Sequence, residues 1–220
     1  MIIKADSGTF FVFDLDDTLY YEIDFLLSAY NKIAAIIEPE SFVPLREKMF
    51  QIFKSGGNAF EYVIENFPEK KISTENLLHL YRNNYPDISL KEGVLDMLIK
   101  IRARNGKIGI ITNGRSITQR NKLKALGLEQ FMDEIVISEE IGYEKPDETV
   151  FNYFIKKYPE KQFYYFGDNP EKDFIAPKKL NWCCIGIIDV NNLRKFNYSE
   201  FSPWYLPHIF INKFTKIEII

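Results

Sequence analysis

The chain has 220 residues, 46% of them hydrophobic and 27% charged, with a net charge of −3. That is enough chain for one large domain, or a domain with an insertion, and an ordinary composition for a folded globular protein. The slightly acidic balance argues against a general nucleic-acid binder, which is usually basic. The amino-terminal segment lacks the basic start and apolar core of a signal peptide, and no apolar run approaches the roughly 20 residues of a membrane helix. A soluble, cytoplasmic protein is the expectation, with no nucleic-acid or membrane partner.

The first strong element is Phe10 to Phe13, an apolar run without clean alternation, which predicts a strand buried on both faces as in a parallel sheet. It runs into Asp14-Leu15-Asp16-Asp17-Thr18. From Tyr20 to Leu90 the pattern is helical. Helices are predicted over Glu22–Glu38, from Ser41 to Phe53, over Ala59–Phe67 and over Thr74–Asn83, with Pro39, Pro68 and Pro86 as stops. The Ser55-Gly56-Gly57-Asn58 stretch reads as a turn and not a phosphate loop, since no strand precedes it and Lys-Ser/Thr does not follow.

After Pro86 helix and strand alternate. Helices are predicted over Gly93–Arg104, Ser116–Leu126, Asp147–Tyr158 and Glu171–Leu180, the last bent or delayed by Pro177. Strands are predicted over Lys107–Ile111, Glu134–Ile137, Gln162–Phe166 and Trp182–Ile188, with a weaker one at His208–Ile211. This alternation means an α/β fold, a parallel sheet covered by helices. The two cysteines, Cys183 and Cys184, are adjacent on a strand, point to opposite faces, and read as buried small apolar residues and not a disulfide.

Polar residues recur where these strands end, which is where ligands bind in open α/β sheets. Asp14 and Asp16 lie two apart, on one side of the strand, and two carboxylates that close call for a divalent cation, a shared proton, or both. An Asp-rich turn is the plainer alternative. Thr112-Asn113-Gly114 offers a hydroxyl and backbone N–H groups ahead of a helix, which suits a phosphoryl oxygen and equally suits an ordinary strand-to-helix turn. Lys145 stands at a helix start, where the dipole does not call for a cation, so an anion is one reason for it and a solvated surface the other. Gly167-Asp168-Asn169 ends the strand over Gln162–Phe166, with Asp173 expected one turn into the next helix; capping by Asp168 or Asn169 is the alternative.

Taken together and in this order, the four tips resemble the haloacid-dehalogenase-like (HAD) superfamily of phosphohydrolases. Its Asp-x-Asp-x-Thr motif is matched by Asp14, Asp16 and Thr18, its Thr/Ser motif by Thr112, its basic motif by Lys145, and its Gly-Asp-plus-acid motif by Gly167, Asp168 and Asp173. The resemblance spans Phe10 to Ile188 and implies a Rossmann-like parallel-sheet core, residues 1–19 and 91–220, with a helical cap domain of the family's first type inserted over 20–90.

The resemblance also implies chemistry. Asp14 is the expected nucleophile, forming an aspartyl-phosphate, and Asp16 the acid/base. Thr112, Asn113, Gly114 and Lys145 are expected to bind the phosphoryl group. Mg²⁺ is expected on Asp14, the backbone carbonyl of Asp16, and Asp168, with Asp173 and Asn169 as outer supports. Thr18 is expected to shape the turn, and Asp17 to be solvated or to cap. Asp16 and Asp168 together argue for phosphate and not carbon–halogen chemistry. Tyr20, Tyr21 and Glu22, and the turn at 55–58, are candidates to line the entrance. The expected substrate is a small phosphorylated metabolite such as a nucleoside monophosphate or a sugar phosphate, with Gln119 part of the likeness to nucleotide-acting members. A phosphomutase on the same machinery and a non-catalytic binding protein are the alternatives. Oligomeric state and the role of the tail after Asp189 are not read from the sequence.

Overall fold

A computed structural model of the chain describes residues 1–220. After a short β1 (Ile2–Ile3), the strand β2 (Thr9–Phe13) is buried throughout, with Phe10 to Phe13 at 0% exposure. Phe11 and Phe13 point into one hydrophobic cluster and Phe10 and Val12 into another, so each face of the sheet carries its own core. That double burial is why the run shows no alternation of polar and apolar residues.

Four helices follow: α1 (Glu22–Ile37), α2 (Phe42–Lys54), α3 (Ala59–Asn66) and α4 (Thr74–Arg82). They pack on one another around a third cluster that includes Leu26, Tyr30, Ile33, Met49, Val63 and Leu77. Asn58 caps α3 by accepting from the N–H groups of Phe60 and Glu61, and Ser73 with Asn76 forms a capping box on α4. The chain enters this unit at Tyr20 and leaves it at Leu90, and those two residues form a single antiparallel bridge.

The remaining elements are α5 (Val94–Ala103), β3 (Lys107–Thr112), α6 (Ser116–Ala125), β4 (Glu134–Ile137), α7 (Ser138–Ile141), α8 (Glu148–Lys157), β5 (Gln162–Gly167), α9 (Ile175–Lys179), β6 (Cys183–Ile187), β7 (Ile209–Ile211) and β8 (Glu218–Ile219). Six strands form one parallel sheet in the order β4-β3-β2-β5-β6-β7, and β1 pairs with β8 apart from it. Phe13 stands between Ile110 of β3 and Phe166 of β5. From β2 the chain winds outward to β4 on one side, then returns to β5 and winds to β7 on the other. The order therefore reverses at β2 and β5, and a crevice opens at their carboxyl ends. No helix is long and apolar enough to cross a membrane.

Two local expectations are corrected. The helix expected from Glu171 is only α9, because Asn169 to Asp173 closes a turn in which the Asp173 N–H donates to the Asn169 carbonyl. Asp173 is thus a turn residue and not one turn into a helix. Of the two cysteines only Cys184 is buried; Cys183 is half-buried.

Candidate active site

The crevice holds a cavity of about 110 Å³ with no hydrophobic residue in its lining. Strand β2 delivers Asp14, whose N–H still bonds to the Phe166 carbonyl across the sheet, so the residue is held by the sheet register itself. Asp14 is 7% exposed. Its Oδ1 accepts from Lys145 Nζ at 2.6 Å and its Oδ2 from Thr18 Oγ1 at 3.1 Å. Burial raises its proton affinity most, and the charges of Asp173 and Asp16 add to this. Lys145 offsets only part, and the carboxyl is pushed up to about 7.

Lys145 reaches this point from the loop before α8, 3% exposed. Its backbone is gripped by Asn113, which donates Nδ2–H to the Lys145 carbonyl and accepts the Lys145 N–H on Oδ1. Its Nζ donates to Asp14 and to Asp173 Oδ1, both at 2.6 Å, and to Tyr165 Oη at 3.0 Å. Burial disfavours the ammonium, but the two carboxylates outweigh it and raise its pKa. Asp173 accepts four hydrogen bonds: from Lys145 and Tyr165 on Oδ1, and from the N–H groups of Asp168 and Asn169 on Oδ2. A Cβ on Gly167 would lie 2.5 Å from that Oδ2, so the glycine is needed for the close approach of backbone to carboxylate.

Asp168, 6% exposed, differs from its neighbours. It has no side-chain ion pair, and its pKa is raised well above the usual range by burial and by the charges of Asp14 and Asp173. Oxygens of Asp14, Asp168 and Asp173 come within 4.8 Å of one another. Three buried carboxylates around one ammonium leave negative charge uncompensated, and an all-oxygen donor set of this kind fits a hard divalent cation.

Asp16 also lines the cavity but turns its carboxylate toward α6. Lys122 Nζ donates to its Oδ1 at 2.6 Å, Gln119 Nε2 donates to its Oδ2 at 2.9 Å, and Tyr20 Oη donates to it as well. Burial works to raise its pKa; the Lys122 charge and the three hydrogen bonds overcome this and lower it. Gln119 Nε2 also donates to Thr112 Oγ1 at 2.5 Å, so one amide ties Asp16 to the end of β3. Thr112 is 1% exposed and sits behind the lining; Asn113 is part of it. The Gly114 N–H is taken by Ser138 Oγ, and Gly114 borders a neighbouring groove.

Asp17 is not solvated; of the two expected roles it takes the capping one, accepting the N–H of Glu22 at the start of α1. It is 2% exposed with φ of 57°, and its carboxylate accepts the N–H groups of Glu22, Leu193 and Arg194. Glu22 lines the cavity, its carboxyl pushed up to about 7 by burial and by the nearby Asp16. The turn at Ser55 to Asn58 is absent from the lining; Gly56, Gly57 and Asn58 border an apolar groove between α1 and α3. Sequence reasoning missed Lys122, Tyr165, Lys172 and Arg194. The visible signal for Lys122 was α6 itself, whose buried face is mostly polar: Thr118, Gln119 and Lys122 beside Leu123.

Comparison with known proteins agrees with this geometry. The chain is 26% identical over 206 residues to a glyceraldehyde 3-phosphate phosphatase of Methanocaldococcus jannaschii, an alignment covering 87% of this chain and 90% of that one. It is 40% identical over 87 residues to the pyrimidine 5'-nucleotidase YjjG of Escherichia coli, 38% of either chain. Among solved structures, the magnesium-bound HAD-hydrolase YfnB of Bacillus subtilis superposes with a TM-score of 0.63 at 20% identity, over 94% of this chain and 95% of that one. The model of the haloacid dehalogenase-like hydrolases matches residues 11–187, and the chain belongs to that family.

Proposed function

We propose that the protein is a Mg²⁺-dependent phosphomonoester hydrolase that works through an aspartyl-phosphate on Asp14. The observation that carries this reading is the buried cluster of Asp14, Lys145, Asp173 and Asp168 at the sheet's switch point: a carboxylate braced against an ammonium, beside acids that call for a cation. The relatives named as phosphatases and nucleotidase support the reaction class.

In this mechanism Asp14 attacks phosphorus and displaces the alcohol; water then attacks the phosphorus and frees Asp14 with phosphate. Splitting one hard displacement into two lowers each barrier. Lys145 neutralises Asp14 and the phosphoryl oxygens. Thr112 Oγ1 accepts from Gln119, which leaves its own O–H to donate to a phosphoryl oxygen. Asp16 gives a proton to the leaving oxygen and later takes one from water. Lys122 keeps it a carboxylate in the structure shown here, and the negative charge of an arriving phosphate favours its protonation. Asp14, Asp168 and the Asp16 carbonyl would hold Mg²⁺, which would screen charge on the phosphoryl group. Asp173, its oxygens already occupied, holds Lys145 and the turn around Asp168 in place. The four-helix unit over residues 20–90 acts as a cap that shields the site from bulk water.

The direct test is a panel of phosphorylated metabolites and p-nitrophenyl phosphate with Mg²⁺, read as released phosphate. Turnover is expected in the wild type, falling to background with EDTA and returning with added Mg²⁺. Activity untouched by EDTA, or none on any member of the panel, would refute the proposal.

A further inference from the structure

Beyond Lys145, the cavity wall carries two more cations, Lys172 and Arg194. The other cations of the site have their partners, Lys145 with Asp14 and Asp173 and Lys122 with Asp16, and Asp17 accepts backbone N–H groups, while the carboxylates of Asp168 and Glu22 are unpaired. The side chains of Lys172 and Arg194 form neither a hydrogen bond nor an ion pair within the protein. Glu22 lies close enough to sense the Arg194 charge, yet the two do not pair.

Arg194 is not placed there by accident of a loose tail. Its loop is pinned to the turn that carries Asp14 and Asp16. The Asp17 carboxylate accepts the N–H of Leu193 at 2.7 Å and that of Arg194 at 3.4 Å. Lys91, itself 7% exposed, donates to the Asp17 carbonyl and, at 2.6 Å, to Asn192 Oδ1. A buried carboxylate and a buried ammonium are thus committed to holding one exposed loop against the site. What that loop contributes to the cavity wall is Arg194.

We propose that Arg194, aided by Lys172, binds a carboxylate on the leaving group, so that the preferred substrate is a small phosphomonoester that also bears a carboxylate. The inference rests on the phosphomonoesterase reading above. A guanidinium offers a planar fork that matches a carboxylate through two parallel hydrogen bonds. The wall already holds six carboxylates, so a singly charged group suits it better than a second dianionic phosphate. A wall with no hydrophobic residue gives a nucleobase nothing to stack on, which disfavours the nucleoside monophosphates expected from the motifs.

The test compares phosphoglycolate with ethyl phosphate, which is of similar size and lacks the carboxylate. Both kcat/KM in wild type and dissociation constants in the Asp14→Asn protein with Mg²⁺ are measured. Wild type is expected to favour phosphoglycolate by roughly tenfold to a hundredfold, as a charge-assisted contact provides. Arg194→Ala should shrink that ratio to about threefold or less, chiefly through KM, and Arg194→Lys should keep part of it. No preference in wild type, or a loss in Arg194→Ala that is equal for both compounds, overturns the assignment. The binding arm separates the two claims. If wild type hydrolyses neither compound, but Asp14→Asn still binds phosphoglycolate more tightly through Arg194, the hydrolase reading falls and the carboxylate site stands.

Discussion

Lys145→Met is expected to cost about 3–5 kcal/mol of stability, the usual result of leaving buried charge unpaired, and to lower turnover by about a thousandfold or more, as loss of a preorganised electrostatic contact does. The ammonium is buried and bridges Asp14 and Asp173, and nothing else in the cluster is positive. Its removal leaves Asp14, Asp168 and Asp173 facing one another.

The pH dependence follows from the sign of the shifts. Asp14 has its folded pKa raised from 3.8 to about 7. A group with a raised folded value binds more protons folded than unfolded between those two pH values, so metal-free protein gains stability as pH falls from about 7 toward 4. Without Lys145 the carboxyl rises further and the dependence steepens. Urea unfolding at pH 5 and pH 7.5, with EDTA or Mg²⁺, reads this out: the variant's deficit should shrink at pH 5. Mg²⁺ should restore stability in part by binding the folded state, without restoring turnover. A variant as stable as wild type at both values would mean that the carboxylates do not depend on Lys145.

The second large effect belongs to Asp16. Asp16→Asn keeps the shape and the acceptor for Lys122 and Tyr20, sets an NH2 in place of the oxygen that accepts from Gln119, and cannot carry a proton between leaving oxygen and water. With an alkyl phosphate, whose alkoxide leaves poorly, kcat should fall by roughly 10²–10⁴, the range general acid catalysis supplies. With p-nitrophenyl phosphate the leaving group needs no proton, so the first step should be nearly spared and the loss confined to the attack of water. A burst of p-nitrophenol ahead of slow phosphate release is the corresponding signature. An equal loss on both substrates, without a burst, would mean that Asp16 serves only to position its neighbours.

Strand β2 and Asp14 were legible in the sequence because a doubly buried strand ending in acids is a local pattern, carried by consecutive residues. Lys145 was legible only through its order in the chain relative to the other tips, since one lysine among many has no local mark. Asp173 is expected on a helix because Glu171 to Leu180 reads as one, bent or delayed by Pro177; the Asn169 to Asp173 turn delays the helix to Ile175 and sets the carboxylate under Lys145. The partners of Asp16 were hidden by distance: Gln119 and Lys122 lie more than a hundred residues away, and their contact exists only once α6 is seated on the sheet. The capping expected of Asp17 is present at Glu22, and its second role is hidden for the same reason. Two of its three backbone donors sit in the tail, at Leu193 and Arg194, so a residue that looks like turn chemistry is an anchor for a distant loop.

The central claim is that Asp14 becomes phosphorylated. Rapid acid quench of wild type during turnover of a phosphate-labelled substrate, followed by peptide mapping, measures this directly. The label should appear on the peptide containing Asp14, at a level that grows when the Asp16→Asn substitution slows the attack of water, and it should be missing from Asp14→Asn. Steady phosphate release with no label on that peptide at any quench time, or turnover in Asp14→Asn equal to wild type, would contradict the account.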